Sequence, residues 1–321
     1  MIRQSRTLYG DKTTLKLMDN NVLASPNLAK IVDDLIDLGY GKGDFINSKP
    51  KRERVIDFNQ GLDATYFNHE VMNLISRLNI KPMRIAFDKI EEKDDYINAV
   101  EIAKEYGFTL FSNYMLFNWN DSPKDLYERL IINIRLNEKW SKARKGNEHL
   151  AKIFCYPMRY APINEKDKIH ENRERDFVRK IELNRNHDFL NDAVWTKRFI
   201  RNIEIMKGVA HGAISPTPSL ALRTIGANYE EFIANLYMPE EFLRNRNKYE
   251  RKVYSTEPHR KPGTGDIERF RHFIIKLIKK RDKRFISFQQ IVSENRKVAI
   301  RAAIESCKDK VILRWLKFYL I

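Results

Sequence analysis

Short runs dominated by apolar residues alternate, over the first half of the chain, with longer stretches in which apolar residues recur every three or four positions. The first run, 14–18, is followed at once by Asp19, Asn20 and Asn21. Ser25 then supplies a helix cap, Pro26 suits the first turn, and Leu28, Ile31, Val32, Leu35 and Leu38 share a helical face before Gly39 ends it. This unit of strand, polar loop and helix recurs. Val55, Ile56 and Phe58 suit a buried strand that runs into Asn59, Gln60, Gly61 and Asp63, with helical spacing resuming over 68–78. Residues 83–87 end in Asp88 before a helix over 94–106, and 109–117 close on Asn118, Trp119, Asn120 and Asp121 before a helix opened by Pro123. A fifth strand, 153–156, runs into Pro157, Met158, Arg159 and Tyr160.

Five strands separated mostly by single helices predict βαβ crossovers and a parallel sheet, laid out as a barrel or doubly wound. In both layouts ligands bind where the strands end, which makes the polar residues after each strand the candidate site. Residues 1–10 read as the end of a helix whose preceding strand would lie before residue 1. The stretch 39–54 reads as an exposed connection. Its Gly39, Gly41 and Gly43 make no dinucleotide fingerprint, because no strand precedes them and the spacing is wrong.

The texture changes after Tyr160. Residues 164–188 are densely charged, 195–206 and 228–243 have helical periodicity, and 208–218 is a breaker segment. Pro258, Pro262, Gly263 and Gly265 mark 257–265 as a linker, and helices over 267–280 and 295–320 make a basic tail. The expected organisation is 1–160 as the α/β part, 161–250 as a mainly helical extension, and 251–321 as the tail.

At 321 residues the chain can bury a large core. It has no run of eighteen apolar residues and no signal-peptide pattern, so the expectation is a soluble, cytoplasmic protein without a membrane partner. Cys155 and Cys307 are its only cysteines, too far apart for a disulfide framework or a closely spaced metal motif. None of the seven histidines has metal-ligand spacing to another. The net charge of +16 is uneven: residues 241–321 carry 22 Lys and Arg against 9 Asp and Glu. That surplus raises affinity for polyanions, although a solvated helical surface has the same composition.

Taken in order, Asp19-Asn20-Asn21, Asn59-Gln60-Gly61-Leu62-Asp63, Arg84 to Asp88, Asn118 with Asp121-Ser122-Pro123 and Arg129, and Met158-Arg159-Tyr160 resemble the later strands of radical S-adenosylmethionine (radical SAM) enzymes. The resemblance covers about residues 10–160 and, more loosely, the segment to about 245. It implies an α/β fold with a partial parallel (β/α) barrel, its first unit missing, followed by the basic helical region. It also implies an enzyme that holds a 4Fe-4S cluster and S-adenosylmethionine at the C-terminal ends of the strands for radical chemistry on substrate. On that resemblance Asp19, Asn20 and Asn21 would lie near the methionine ammonium and carboxylate, and Asn59, Gln60 and Asp88 near the ribose or substrate. Asp63 joins this cofactor-binding set, with Asn118 and Arg159 at the far side. Amides and carboxylates suit an ammonium and a diol, and Arg suits a carboxylate.

One departure from the family is large. The three-cysteine loop that holds the cluster does not occur, and Cys155 and Cys307 cannot replace closely grouped thiolates. The chain as given is expected not to build that cluster and to be inactive alone, and no catalytic residue is assigned. Read one at a time, the polar residues after the strands are ordinary turn and cap chemistry; their recurrence in register carries the pocket. The alternative from a different class is a non-catalytic α/β protein whose tail, with Lys276, Lys279, Lys280, Arg281, Lys283 and Arg284 beside Phe273, Phe285 and Phe288, binds nucleic acid.

Overall fold

The computed structural model describes residues 2–18, 21–143, 150–161, 190–251 and 261–321. The chain divides into two compact units. An N-terminal unit comprises Met1–Met115, Glu128–Tyr156 and Ala213–Ala221, and a C-terminal unit comprises Leu116–Tyr127, Pro157–Gly212 and Leu222–Ile321. The tail helices therefore share a unit with residues from 222 onward. Asp19, Asn20 and the expected charged stretch 164–188 lie outside the described residues, as do residues 257–260 of the expected linker.

The N-terminal unit is mixed α/β with short parallel sheets. Helix α1 (Ile2–Tyr9) precedes strand β1 (Thr14–Leu17), and α2 (Leu28–Asp37) follows it with Leu28, Val32 and Leu35 buried. Next come a short antiparallel hairpin, β2 (Phe45–Ile46) with β3 (Arg52–Glu53), and then β4 (Val55–Phe58). The hairpin lies inside the expected exposed connection. It is anchored there because Tyr40 and Ile46 are buried and Arg54 reaches the carbonyl of Leu38 and the carboxylate of Asp11.

β1 and β4 pair in parallel with Leu15 beside Ile56 and Lys16 beside Asp57. After α3 (His69–Ile75), β5 (Met83–Arg84) carries the pattern on: Ile56 bridges Ile80 and Leu62 bridges Ile85, both in parallel. β5 pairs in parallel with β6 (Leu110–Phe117), reached through α4 (Lys93–Glu105), and β7 (Lys152–Arg159) lies next to β6 after α5 (Pro123–Ala143). Within this unit the neighbouring strands follow sequence order, with only the β2–β3 hairpin intervening between β1 and β4. No closed barrel forms among the described residues. At the outer side of β7, Ile214 pairs antiparallel with Cys155, whereas β1 has β4 as its only strand neighbour among the described residues.

The pleat gives the strands two unlike faces. Ile56, Phe58, Met83, Ile85, Phe111, Met115 and Ile153 are buried, as α/β packing requires. The residues between them, Asp57, Arg84, Ser112, Tyr114 and Tyr156, carry polar groups. Gly61 ends the β4 segment at φ +90, a left-handed conformation that a side chain would strain.

The C-terminal unit is helical over most of its described length. Thr196 caps α6 (Lys197–Gly208) by accepting from the backbone N–H of Phe199, and Asn228 caps α8 (Tyr229–Tyr237) in the same way from Glu231. Between them lies α7 (Pro218–Ile225), which passes from one unit into the other. The fully buried Asn202 of α6 lies 2.8–3.1 Å from the carbonyls of Asn235, Leu236 and Met238, satisfying the last turn of α8. Pro239 then splits the expected 228–243 helix, so that α9 (Glu240–Arg244) and α10 (Arg246–Tyr249) follow as short pieces.

The tail holds four helices where the periodicity predicts two: α11 (Asp266–Lys279), α12 (Lys283–Ser293), α13 (Lys297–Ser306) and α14 (Lys310–Leu316). The extra boundaries are caps. Asp282 accepts from the N–H of Arg284 to start α12, and Asp309 accepts from those of Val311 and Ile312 to start α14. Phe232, Phe242, Phe270, Phe288, Trp315 and Tyr319 are buried within this unit, with ring centroids 5.3 Å apart for Phe270 and Trp315.

Candidate functional site

The residues that follow β1, β4 and β5 meet in the N-terminal unit. Asn21 donates from Nδ2 to Oδ2 of Asp63 at 3.2 Å, joining the loop after β1 to the loop after β4. The other carboxylate oxygen of Asp63 accepts from the N–H and hydroxyl of Thr65 at 3.0 and 2.7 Å, so the local turn fixes its orientation. Asn59 extends the β1–β4 pairing through its own N–H, which donates to the carbonyl of Leu17 at 3.0 Å. Its side-chain amide lies 3.6 Å from the sulfur of Met18. Gln60 is exposed at the turn.

Asp88 is half-buried just past β5. The residue before it is held by Arg129 of α5, fully buried, which donates to the carbonyl of Phe87 at 3.1 Å. One turn further on, Glu92 joins the cluster electrostatically. Its pKa lies above the usual carboxylate value, chiefly through burial; Lys89, 3.9 Å away, opposes the shift, while the charges of Asp88 and Asp63 add to it. Asn21, Asp63, Asp88 and Glu92 therefore form one acid and amide group at consecutive strand ends. Glu92 is an addition to the expected set.

Asn118 and Arg159 belong to the C-terminal unit. Asn118 is fully buried at φ 71, a conformation that Asn tolerates better than most residues. Its Oδ1 accepts from the N–H of Asn191 at 3.0 Å and its Nδ2 reaches the carbonyl of Tyr160 at 3.4 Å. Its amide thus ties the end of β6 to the end of β7 and to the start of the next described segment. Arg159 is half-buried as the last residue of β7.

A polar row across the sheet is the feature the strand-end reading misses. Arg84 makes a two-pronged pair with Asp57, at 2.6 and 3.1 Å, donates to the hydroxyl of Ser112 at 3.0 Å, and lies over the ring of Tyr114. Tyr114 in turn meets Tyr156 edge-on, 5.9 Å between centroids. Burial works against the Arg84 charge, but the bonds to Asp57 outweigh it, and its pKa is raised. The signal is present in the chain: Asp57 and Arg84 are the charged residues that interrupt the apolar runs Val-Ile-x-Phe and Met-x-Ile.

On the other face a second polar chain is sealed in. Asn113 donates to the hydroxyl of Tyr96 at 3.0 Å, Tyr96 donates to Asn133 at 2.8 Å, and Asn133 donates to the sulfur of Cys155 at 3.2 Å. Burial pushes the Cys155 thiol up to about 12.

Comparison with family models, with curated proteins and with solved structures found no match.

The residues present do not fit a 4Fe-4S cluster. Cys155 is 2% exposed and its raised pKa holds it as a thiol, whereas Cys307 lies in the C-terminal unit between α13 and α14 with its sulfur on the carbonyl of Asp309. Cluster ligation requires grouped thiolates. Among the described residues no set of three His, Cys, Asp or Glu is placed to hold a metal ion. The rim suits a different guest: carboxylates and amides match an organic cation bearing hydroxyl or ammonium groups.

Proposed function

We propose that the N-terminal unit is a radical SAM-type partial (β/α) barrel and that its strand-end rim binds S-adenosylmethionine. The observation that carries this reading is the meeting of Asn21, Asp63, Asp88 and Glu92 at the ends of successive parallel strands. Asp63, already oriented by Thr65, accepts from the ligand ammonium or ribose. Asp88, whose backbone is positioned through Arg129, supplies a second carboxylate, and Asn21 bridges the two loops. A bound sulfonium supplies an activated carbon–sulfur bond. The protein's residues contribute binding and orientation, and no step is assigned to a cluster.

Glu92 provides a signature of its own. A cation at this rim favours the ionised carboxylate, so binding releases a proton at pH values near the raised Glu92 pKa. Calorimetric titration of the full chain with S-adenosylmethionine in buffers of different ionisation enthalpy tests both statements. The expected result is binding with proton release, weakened about tenfold or more by Asp63→Asn or Asp88→Asn, the loss of one charge-assisted contact. Absence of binding at millimolar ligand overturns the reading.

A further inference from the structure

The cationic side chains of the tail divide into two groups. Lys279 pairs with Glu230 at 3.0 Å, Arg269 and Arg314 approach Asp266 at 3.0 and 3.5 Å, and Arg284 pairs with Asp282. Lys280, Arg281, Lys283, Lys308 and Lys310 are all exposed and make no ion pair among the described residues. These five come from two turns, with at least 25 residues in sequence from any cation of one to any of the other. Arg284 brings the turns together, because its guanidinium holds Asp282 of the α11–α12 turn and also lies 3.7 Å from Asp309 of the α13–α14 turn.

The aromatic residues beside these charges face inward. Phe285 meets Tyr237 edge-on at 5.3 Å, Phe273 meets Phe288 at 5.8 Å, and Phe288 and Trp315 are buried. The surface therefore offers point charges and no stacking platform for unpaired bases. Nor does it offer an apolar helix face to a bilayer, since Phe270, Ile274, Leu277, Val292, Ile312 and Leu316 are in the core, and the exposed Ile286, Val298 and Val311 each come from a different helix. Clustered cations without apolar or aromatic partners match a regular array of phosphates.

We propose that the α11–α12 and α13–α14 turns together form a surface that binds double-helical nucleic acid through its phosphates, without reading its sequence. This is independent of the rim in the N-terminal unit. Five phosphate contacts give a salt dependence of affinity with a log–log slope of about −4.5, or about 500-fold weakening for a fourfold rise in salt.

The test is fluorescence anisotropy of the full chain with a labelled duplex of about 24 base pairs and with its single strand, across a KCl series. The expected result is duplex binding at least equal to single-strand binding, indifferent to base sequence. The triple variant K280E/R281E/K283E weakens it and lowers the slope to about −1.8, and K308E/K310E lowers it to about −2.7. Circular dichroism checks that these exposed substitutions leave the helices folded, and K12E/K30E/K93E, the same charge change on the N-terminal unit, leaves the slope near the parent value. A parent chain that fails to bind duplex at low salt, or binds anionic phosphatidylserine vesicles in its place, overturns the proposal. So does a slope unaffected by the turn variants, or a strong preference for single strands.

Discussion

The two units treat buried charge in opposite ways. In the N-terminal unit one carboxylate, that of Asp57 at 6% exposed, serves one guanidinium, that of Arg84 at 15% exposed. In the C-terminal unit the carboxylate of Glu250, 6% exposed, serves two arginines at once: Arg223 at 2.8 Å and Arg246 at 3.5 Å. Arg246 also donates to the carbonyls of Arg223 and Thr224, and burial followed by the charge of Arg271 lowers its pKa to about 10. A surplus of cations is thus tolerated inside because backbone carbonyls share the load, and the remainder is placed on the surface. The contrast teaches that the basic composition of the second half is a matter of interior architecture as well as of partners.

The sharpest way to break this contrast is Glu250→Gln, which leaves two buried guanidinium groups without their carboxylate and costs about 3–5 kcal/mol. Chemical denaturation reads the loss, and hydrogen exchange is expected to rise over 222–250 while β4 to β6 keep their protection. Asp57→Ala is expected to cost less, about 2–3 kcal/mol, because it leaves one guanidinium without its carboxylate and Arg84 keeps the hydroxyl of Ser112. An equal or larger loss than for Glu250→Gln removes the distinction between the units. Tyr96→Phe follows at about 1–3 kcal/mol, since Asn113 and Asn133 each lose a partner in a sealed place; a neutral result shows that solvent enters behind the sheet.

The smallest effect at neutral pH is that of Cys155. Its folded pKa of about 12 stands above the ordinary 9.0, so the stabilisation from keeping it protonated is complete below pH 9. It is lost as pH rises through about 12. The expected observation is an alkaline fall in stability over that window that Cys155→Ala reduces, with Cys307 alone reacting with a thiol reagent in the folded chain at pH 8.

Much of the fold was legible because local signals agreed. Expected 14–18 became Thr14–Leu17, and the helices starting near Leu28, Lys93 and Pro123 follow from apolar spacing with caps or turn residues around them. The α12 helix escaped notice because Asp282 to Arg284 reads as a solvated charge run, even though Phe285, Phe288 and Val292 keep helical spacing behind it. The hairpin of 45–53 escaped for another reason: its anchor, Arg54 on Asp11 and Leu38, is a tertiary contact that no window of sequence contains. At the candidate site, strand ends could be read but partners could not. Short apolar runs placed Asp63 and Asp88 after strands, whereas Glu92 entered only through folding, and Asn118 proved to tie backbone segments together.

The unlike ends of the strand array have a consequence for handling the protein. A peptide edge whose donors and acceptors point outward accepts a neighbour from any chain that presents the matching spacing, and a single lysine at such an edge makes that approach costly. Lys16 occupies that place on β1, exposed beside its apolar neighbours Leu15 and Leu17. Neutralising Lys16 is the change that would turn a guarded margin into a seed for precipitation.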